Sequence, residues 1–158
     1  MVPFTAIVLA AGQGTRMKSA TPKVLHSLAG RPLVAYPLRA AFDAGAAHAV
    51  LVTSGDPTIA AAVVSEFPSG TITVVTQDPP RGTGDAARIA FEALPPDTER
   101  VLILYGDTPL IRARDLSELV AALDRGERPD LSVMTCRVPE PAGYGRALRD
   151  SEDRKSVV

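Results

Sequence analysis

Three stretches of the chain carry residue types that could do chemistry. The first, Leu9-Ala10-Ala11-Gly12-Gln13-Gly14-Thr15-Arg16-Met17-Lys18, directly follows an apolar run. Ala10 and Ala11 are small, and Gly12 and Gly14 tolerate positive φ, so this backbone can wrap closely around a ligand. Exposed N–H groups in such a loop make a nest for an anion. Arg16 adds a planar fork that matches phosphate oxygens. Lys18 and Lys23 bring further positive charge, and Pro22 stiffens the approach to Lys23. A plain tight turn would use the same glycines. The combination with Arg16 and Lys23 is what points to phosphate. Two other phosphate loops do not fit. The P-loop needs Gly-Lys-Ser/Thr after its spacer, and the dinucleotide loop needs glycine where Met17 stands.

The second stretch is Gln77 with Gly82-Thr83-Gly84-Asp85-Ala86 at the entry of a helical pattern. An amide side chain offers both a donor and an acceptor to a pyrimidine edge. Glycine lets a base approach the backbone, and Thr83 is a candidate cap for the helix. Ordinary helix entry would look the same. The third is Tyr105-Gly106-Asp107-Thr108-Pro109-Leu110. A carboxylate at the end of a strand, after glycine, suits a hard cation. Mg²⁺ takes oxygen ligands, usually one or two carboxylates plus substrate phosphates. Asp107 also suits a simple turn.

The elements that must position these loops alternate along the chain. Apolar, β-branched runs predict strands at Thr5–Leu9, Ala49–Thr53, Thr71–Thr76, Val101–Tyr105 and Leu131–Arg137. Several are almost continuously apolar, as in a parallel sheet covered on both faces. Helices are predicted from near Pro32 to Ala44 (with Pro37 inside), over Thr58–Phe67, over Gly84–Leu94, and over Arg114–Arg125. In the last of these Leu116, Leu119, Val120 and Leu123 fall on one face. Repeated β–α–β units imply right-handed crossovers and a doubly wound α/β sheet. Ligands bind such sheets beyond the carboxyl ends of the strands, which selects the loops after Leu9, Thr76 and Tyr105.

The chain has 158 residues and is 46% hydrophobic, which suits one folded domain. Lys plus Arg number 17 and Asp plus Glu 18, a net charge of −1 that argues against a nucleic-acid or membrane-surface footprint. Ala6–Ala11 is far shorter than the roughly 20 residues of a bilayer span, and Met1–Thr5 lacks the basic start of a signal peptide. The single cysteine, Cys136, fits a reducing cytoplasm and is expected to be buried in a strand. His26 and His48 lack metal-like spacing and are read as core or surface residues.

Leu9–Met17 together with Pro22-Lys23-Val24-Leu25-His26 resembles the signature of the nucleoside-triphosphate sugar-1-phosphate nucleotidyltransferases. The match is nearest to the uridyltransferase half of the bacterial bifunctional enzymes that make UDP-N-acetylglucosamine. Gln13 stands where that signature often has lysine, and Asp85 where many relatives have histidine. The resemblance runs from about Phe4 to Asp150 and implies a Rossmann-like sheet of the nucleotide-diphospho-sugar transferase type, incomplete at its C-terminal end. It implies that Leu9, Ala10, Ala11, Gly12 and Gly14 bind the nucleotide, with the Ala11–Gly14 amides around its phosphates, and that Gln77, Gly82 and Thr83 hold uracil. It further implies that Arg16 and Lys23 are catalytic, that Asp107 binds Mg²⁺, and that Tyr105, Gly106 and Gly143 line the sugar site. The implied substrates are UTP and N-acetylglucosamine-1-phosphate. Guanylyltransferases of the molybdopterin type, enzymes for another sugar-1-phosphate, and a non-catalytic nucleotide-binding module are the competing readings.

Relatives continue with a Glu-x-Lys-Asp segment, two functional asparagines and a β-helix that carries acetyl transfer and most trimer contacts. None of these is in the sequence. Weak or absent turnover, no acetyltransferase activity and no inherited trimer are therefore expected. Residues 1–152 read as the nucleotidyltransferase segment. Arg146–Arg149 and Ser156–Val158 read as two arms of a hairpin. Asp153-Arg154-Lys155-Ser156-Val157-Val158 back-translates as a common sequencing adapter, so residues 153–158 are expected to be a non-native tail.

Overall fold

The structure, a computed structural model, describes residues 3–12, 14, 17–125, 129–140, 142–143, 145, 147–149 and 155–157. The apolar run β1 (Phe4–Leu9) lies inside the sheet. After it come a short hairpin, β2 (Ser27–Leu28) and β3 (Arg31–Pro32), then α1 (Ala35–Asp43) and β4 (Ala46–Thr53). The chain continues through α2 (Pro57–Val63), β5 (Ile72–Thr76), α3 (Thr83–Phe91), β6 (Val101–Tyr105) and α4 (Ala113–Ala121). The main sheet is parallel, in the order β5-β4-β1-β6. In register, Ile7 of β1 stands between Val50 of β4 and Ile103 of β6.

The handedness of the crossovers decides where the helices go. The steps from β1 to β4 and from β4 to β5 move toward one edge and put α1 and α2 on one face. The step from β5 to β6 crosses back, so α3 covers the other face. The core divides accordingly. Phe4, Val8, Leu51 and Leu104 pack with Leu38 of α1, Ile59 of α2 and Leu116 of α4. Ile7, Val50 and Val52 pack with Ala86 and Ala90 of α3. The reversal of strand order falls between β1 and β6, which makes their carboxyl ends the expected crevice.

Local chemistry moves several predicted boundaries. Pro32 lies in β3, and α1 begins three residues later at Ala35. Pro37 therefore falls in the first turn, where a missing N–H removes no helical hydrogen bond. Asp56 caps α2 by accepting from the Thr58 N–H at 2.9 Å, with Pro57 at the first helical position. That helix ends at Val63 and tightens into a 3-10 turn over Val64–Glu66. Helix α4 ends similarly, in a 3-10 turn over Ala122–Asp124 that contains Leu123.

The strand predicted at Leu131–Arg137 is not formed. Its composition suits a strand, but a strand exists only where a neighbour accepts and donates its backbone hydrogen bonds. No described segment pairs with these residues. Leu131 and Val133 are exposed, and so is Cys136, contrary to its expected burial. Further on, β7 (Ala147–Arg149) and β8 (Lys155–Val157) pair antiparallel, with Leu148 opposite Ser156. This is the hairpin read from the sequence, one residue earlier in its second arm. No described helix is long and apolar enough to cross a membrane.

Strand β6 is covered unequally. Leu102 and Leu104 are buried on the α1–α4 face, whereas Ile103 and Tyr105, on the α3 face, are 45% and 52% exposed. Leu38→Ala is expected to cost about 2–5 kcal/mol in urea denaturation, and Ile103→Ala about 1 kcal/mol or less. Equal losses would contradict this one-sided packing.

Candidate functional site

The site is built where β1 and β6 end. The Gly106 N–H donates to the Leu9 carbonyl at 2.8 Å, carrying the two strand exits forward side by side. A Cβ on Gly106 would sit 3.1 Å from the Leu9 oxygen and 3.2 Å from the Ala10 Cβ. Glycine therefore permits this approach. Asp107, the next residue, is held over the β1 exit, and Thr108 fastens the turn by donating its hydroxyl to the Tyr105 carbonyl at 2.7 Å.

Lys23 arrives from the other side. Val24 is buried in the core and ties this segment to the sheet. The 3-10 turn Lys23–Leu25 is fixed when Leu25 N–H donates to Pro22 O, at 2.9 Å, and Val34 N–H donates to Val24 O, at 3.0 Å. The Lys23 ammonium donates to Asp107 Oδ2 at 2.6 Å, joining residues 84 apart in sequence. Both side chains remain about a third exposed, so the pair faces solvent and is open to a ligand.

The first loop lies against Lys23. Gly14 has φ +60°, and a Cβ there would fall 2.7 Å from the Lys23 Cβ. Ala10 N–H donates to Val52 O at 2.8 Å and continues the sheet. Leu9 and Ala10 thus form the floor of the loop rather than its free donors. Among the described residues, the N–H groups of Ala11, Gly12 and Gly14 donate to no protein acceptor. Free donors of this kind are what an anion-binding nest requires. Arg16 and Gln13 lie outside the described residues.

The second loop extends β5. Gln77 N–H donates to Thr53 O at 2.8 Å, and the side chain is buried. Its Nε2 donates to the Gly82 carbonyl at 3.0 Å and to Asp85 Oδ2 at 2.9 Å. The helix cap is Gly82, at φ +99°, and Thr83 is the first helical residue without a capping side-chain bond. Only glycine adopts that backbone readily, which displaced the cap from Thr83. Helix α3 reaches the first loop through Ala11, which shares a cluster with Ala86 and Ala90.

The hydrogen bond from Gln77 is the main influence holding the Asp85 carboxyl below the usual carboxylate range, followed by that from Arg88. Sequence reasoning missed the Asp85–Gln77 contact. The available signal was that a buried amide needs acceptors for both of its hydrogens. Tyr105 projects from the open face of β6 beside the site. Gly143 stands at an exposed turn with φ +80°, and no contact among the described residues ties it to Lys23 or Asp107.

A parallel sheet with a free-amide loop, a lysine and a carboxylate at its strand-order reversal defines a nucleotide-handling α/β protein. The chain belongs to the MobA-like NTP transferase domain family, which matches residues 6–154. It is 48% identical over 155 residues to the bifunctional protein GlmU of Sorangium cellulosum, covering 96% of this chain and 33% of that protein. It is 45% identical over 159 residues to the protein of that name from Kineococcus radiotolerans, covering 99% and 32%. The chain thus spans about a third of the length of these curated relatives.

Among solved structures, the 4-diphosphocytidyl-2C-methyl-D-erythritol synthase of Anaerococcus prevotii superposes with a TM-score of 0.65. That match has 21% identity over 97% of this chain and 61% of the other. Rv0371c of Mycobacterium tuberculosis, solved in complex with manganese, superposes with a TM-score of 0.61. Its identity is 22% over 77% of this chain and 59% of that one. These two likenesses establish the fold.

Gly14→Ala combines a forbidden contact with a left-handed φ, and is expected to destabilise by about 1–3 kcal/mol. Gly12→Ala meets open space and is expected to change stability by no more than about 0.5 kcal/mol. Paired denaturation curves check both. Tolerance of Gly14→Ala would reject the close Gly14–Lys23 packing.

Proposed function

We propose that this chain is the nucleotide-binding part of a uridyltransferase, one that joins UTP and N-acetylglucosamine-1-phosphate into UDP-N-acetylglucosamine and releases pyrophosphate. The observation that carries the reading is the meeting of the free Ala11, Gly12 and Gly14 amides with Lys23 and Asp107 at one strand-order reversal. The resemblance to the GlmU proteins supplies the choice of substrates. The cytoplasm, where a free cysteine persists, is the compartment assigned.

In the reaction, an oxygen of the sugar phosphate attacks the α-phosphorus of UTP. A new P–O bond forms, the bond from the α-phosphorus to the bridging oxygen breaks, and pyrophosphate departs with that electron pair. The chain supplies position and charge. The loop amides hold the phosphates. Lys23, already anchored beside them, neutralises the α-phosphate and the entering phosphate. Arg16 is assigned to the leaving pyrophosphate by its place in the sequence.

The donor set at Asp107 fits a divalent cation of the Mg²⁺ kind. Asp107 offers a solvent-facing carboxylate, and a cation already sits against it in the form of the Lys23 ammonium. Among the described residues no group of three or more His, Cys, Asp or Glu converges to hold a metal alone. A Mg²⁺ ion held by one carboxylate completes its shell with phosphate oxygens and water. Bound there, it would withdraw charge from the phosphates and orient them. Tyr105 and Gly106 are assigned to the sugar side, with Gly143.

Binding is the direct test for this chain. Mg²⁺–UTP is expected to raise its melting temperature, because a ligand of the native state stabilises it. Lys23→Ala is expected to weaken UTP by about 10–100-fold in titration calorimetry, the range of a hydrogen bond to a charged group. An unchanged affinity would remove Lys23 from the site, and no binding of UTP would overturn the function.

A further inference from the structure

The buried Gln77 carboxamide is oriented by two partners that can only accept. The Gly82 carbonyl and the Asp85 carboxylate both receive its Nε2 hydrogens, at 3.0 and 2.9 Å. Exchanging the amide oxygen and nitrogen would set oxygen against two oxygens. The hydrogen bonds from Gln77 and then Arg88 hold the Asp85 carboxyl below the usual carboxylate range. Asp85 is itself fixed from behind by Arg88, whose Nη2 donates to Oδ1 at 3.0 Å.

Both amide hydrogens are therefore occupied, and Gln77 Oε1 is left over. It has no partner among the described residues. It is also absent from the sealed polar atoms lacking a bond, which among the described residues are His26 Nε2 and Arg39 Nε. Beside it, the Gly82 and Thr83 N–H groups at the start of α3 donate to no acceptor among the described residues. The second loop thus presents one acceptor next to free donors.

We propose that Asp85 is a positioning residue that sets the base preference of this site, by locking Gln77 with its oxygen outward so that the base must offer a ring N–H between two carbonyls. Uracil has that edge, with N3–H flanked by O2 and O4. Cytosine does not: its N3 is an acceptor, so it can offer Oε1 only its exocyclic amino group, which shifts the ring and leaves one flanking acceptor instead of two. The inference rests on the nucleotide reading above and names what fixes its choice of base.

The test is the ratio of UTP to CTP affinity, measured by titration calorimetry on this chain and its variants with Mg²⁺ present. The unaltered chain is expected to favour UTP by about 10–100-fold, the value of one charged or buried hydrogen bond made against one lost. Asp85→Asn retains an acceptor oxygen for Gln77, and the exposed Arg88 can turn away, so that variant is expected to keep the preference within a few-fold. Asp85→Lys sets a donor against the amide and is expected to bring the ratio to threefold or less. Asp85→Leu, which removes the acceptor without adding a charge, is expected to lower the ratio in the same direction and serves if the lysine variant does not fold. A side chain with a merely structural role would weaken both nucleotides alike and leave the ratio unmoved. Equal affinity in the unaltered chain, a ratio lost in Asp85→Asn, or one that survives both Asp85→Lys and Asp85→Leu would overturn the role of Asp85 while the nucleotide site stood. Failure of UTP to bind at all would instead overturn the reading beneath it.

Discussion

The close approach of the β6 exit to the β1 exit governs the rest of the site. A glycine at position 106 lets one backbone donate to the other at 2.8 Å, and this sets Asp107 above the loop that follows β1. Lys23 then completes a contact of 2.6 Å from a segment pinned by Val24 in the core. A partly exposed ion pair of this kind contributes only about 0–1 kcal/mol to stability. Its significance lies in what it holds ready. A cation and a carboxylate stand beside unpaired amides, in an arrangement weak enough for a polyphosphate to reorganise. Charge-assisted bonds to phosphate are individually stronger than the exposed pair they would replace.

Much of this was legible along the chain where one residue type dictates one outcome. The continuous apolar runs of β1 and β4 could only be buried strands, and both are. The periodic leucines of α4 announced its buried face, and Leu116 and Val120 occupy it. Topology alone selects the loops after Leu9, Thr76 and Tyr105, and the Lys23–Asp107 pair and the Gln77–Asp85 contact lie in them. Features that depend on a partner elsewhere were not legible. Leu131–Arg137 has the composition of a strand but lacks a paired edge, and composition carries no information on the neighbour. Lys23 and Asp107 were each read as binding groups, but nothing in their spacing says that they touch. Thr83 looked like a cap because its hydroxyl suits one, whereas the backbone of Gly82 decided the matter.

The loops proposed for phosphate and for base are joined through the core. Ala11, in the phosphate loop, shares its cluster with Ala86 and Ala90 of the helix that begins at the base loop. Val50 and Val52 lie beneath both. Alanine at these three positions brings helix and loop close together, and a larger side chain would separate them. The distance between the backbone of Ala11, Gly12 and Gly14 and the Gln77 amide is then set by the core. Pre-formed spacing of this kind lowers the ordering cost of binding a ligand that spans it.

The side proposed for the sugar has no equivalent support among the described residues. Tyr105 and Ile103 stand on the open face of β6, and among the described residues no backbone hydrogen bond ties Gly143 to the strand ends. The asymmetry follows from sheet topology. Strands β5, β4 and β1 are tied by three helices and two core clusters, so groups at their ends inherit a rigid frame. Groups at the outer side of β6 inherit only one covered face. The groups proposed for the nucleotide and those proposed for the sugar thus stand on parts of the fold that are covered differently, and Asp107 stands at the boundary between them. Its carboxylate is positioned from the rigid side, through Gly106 and Lys23, while the partner that would share its cation comes with the substrate.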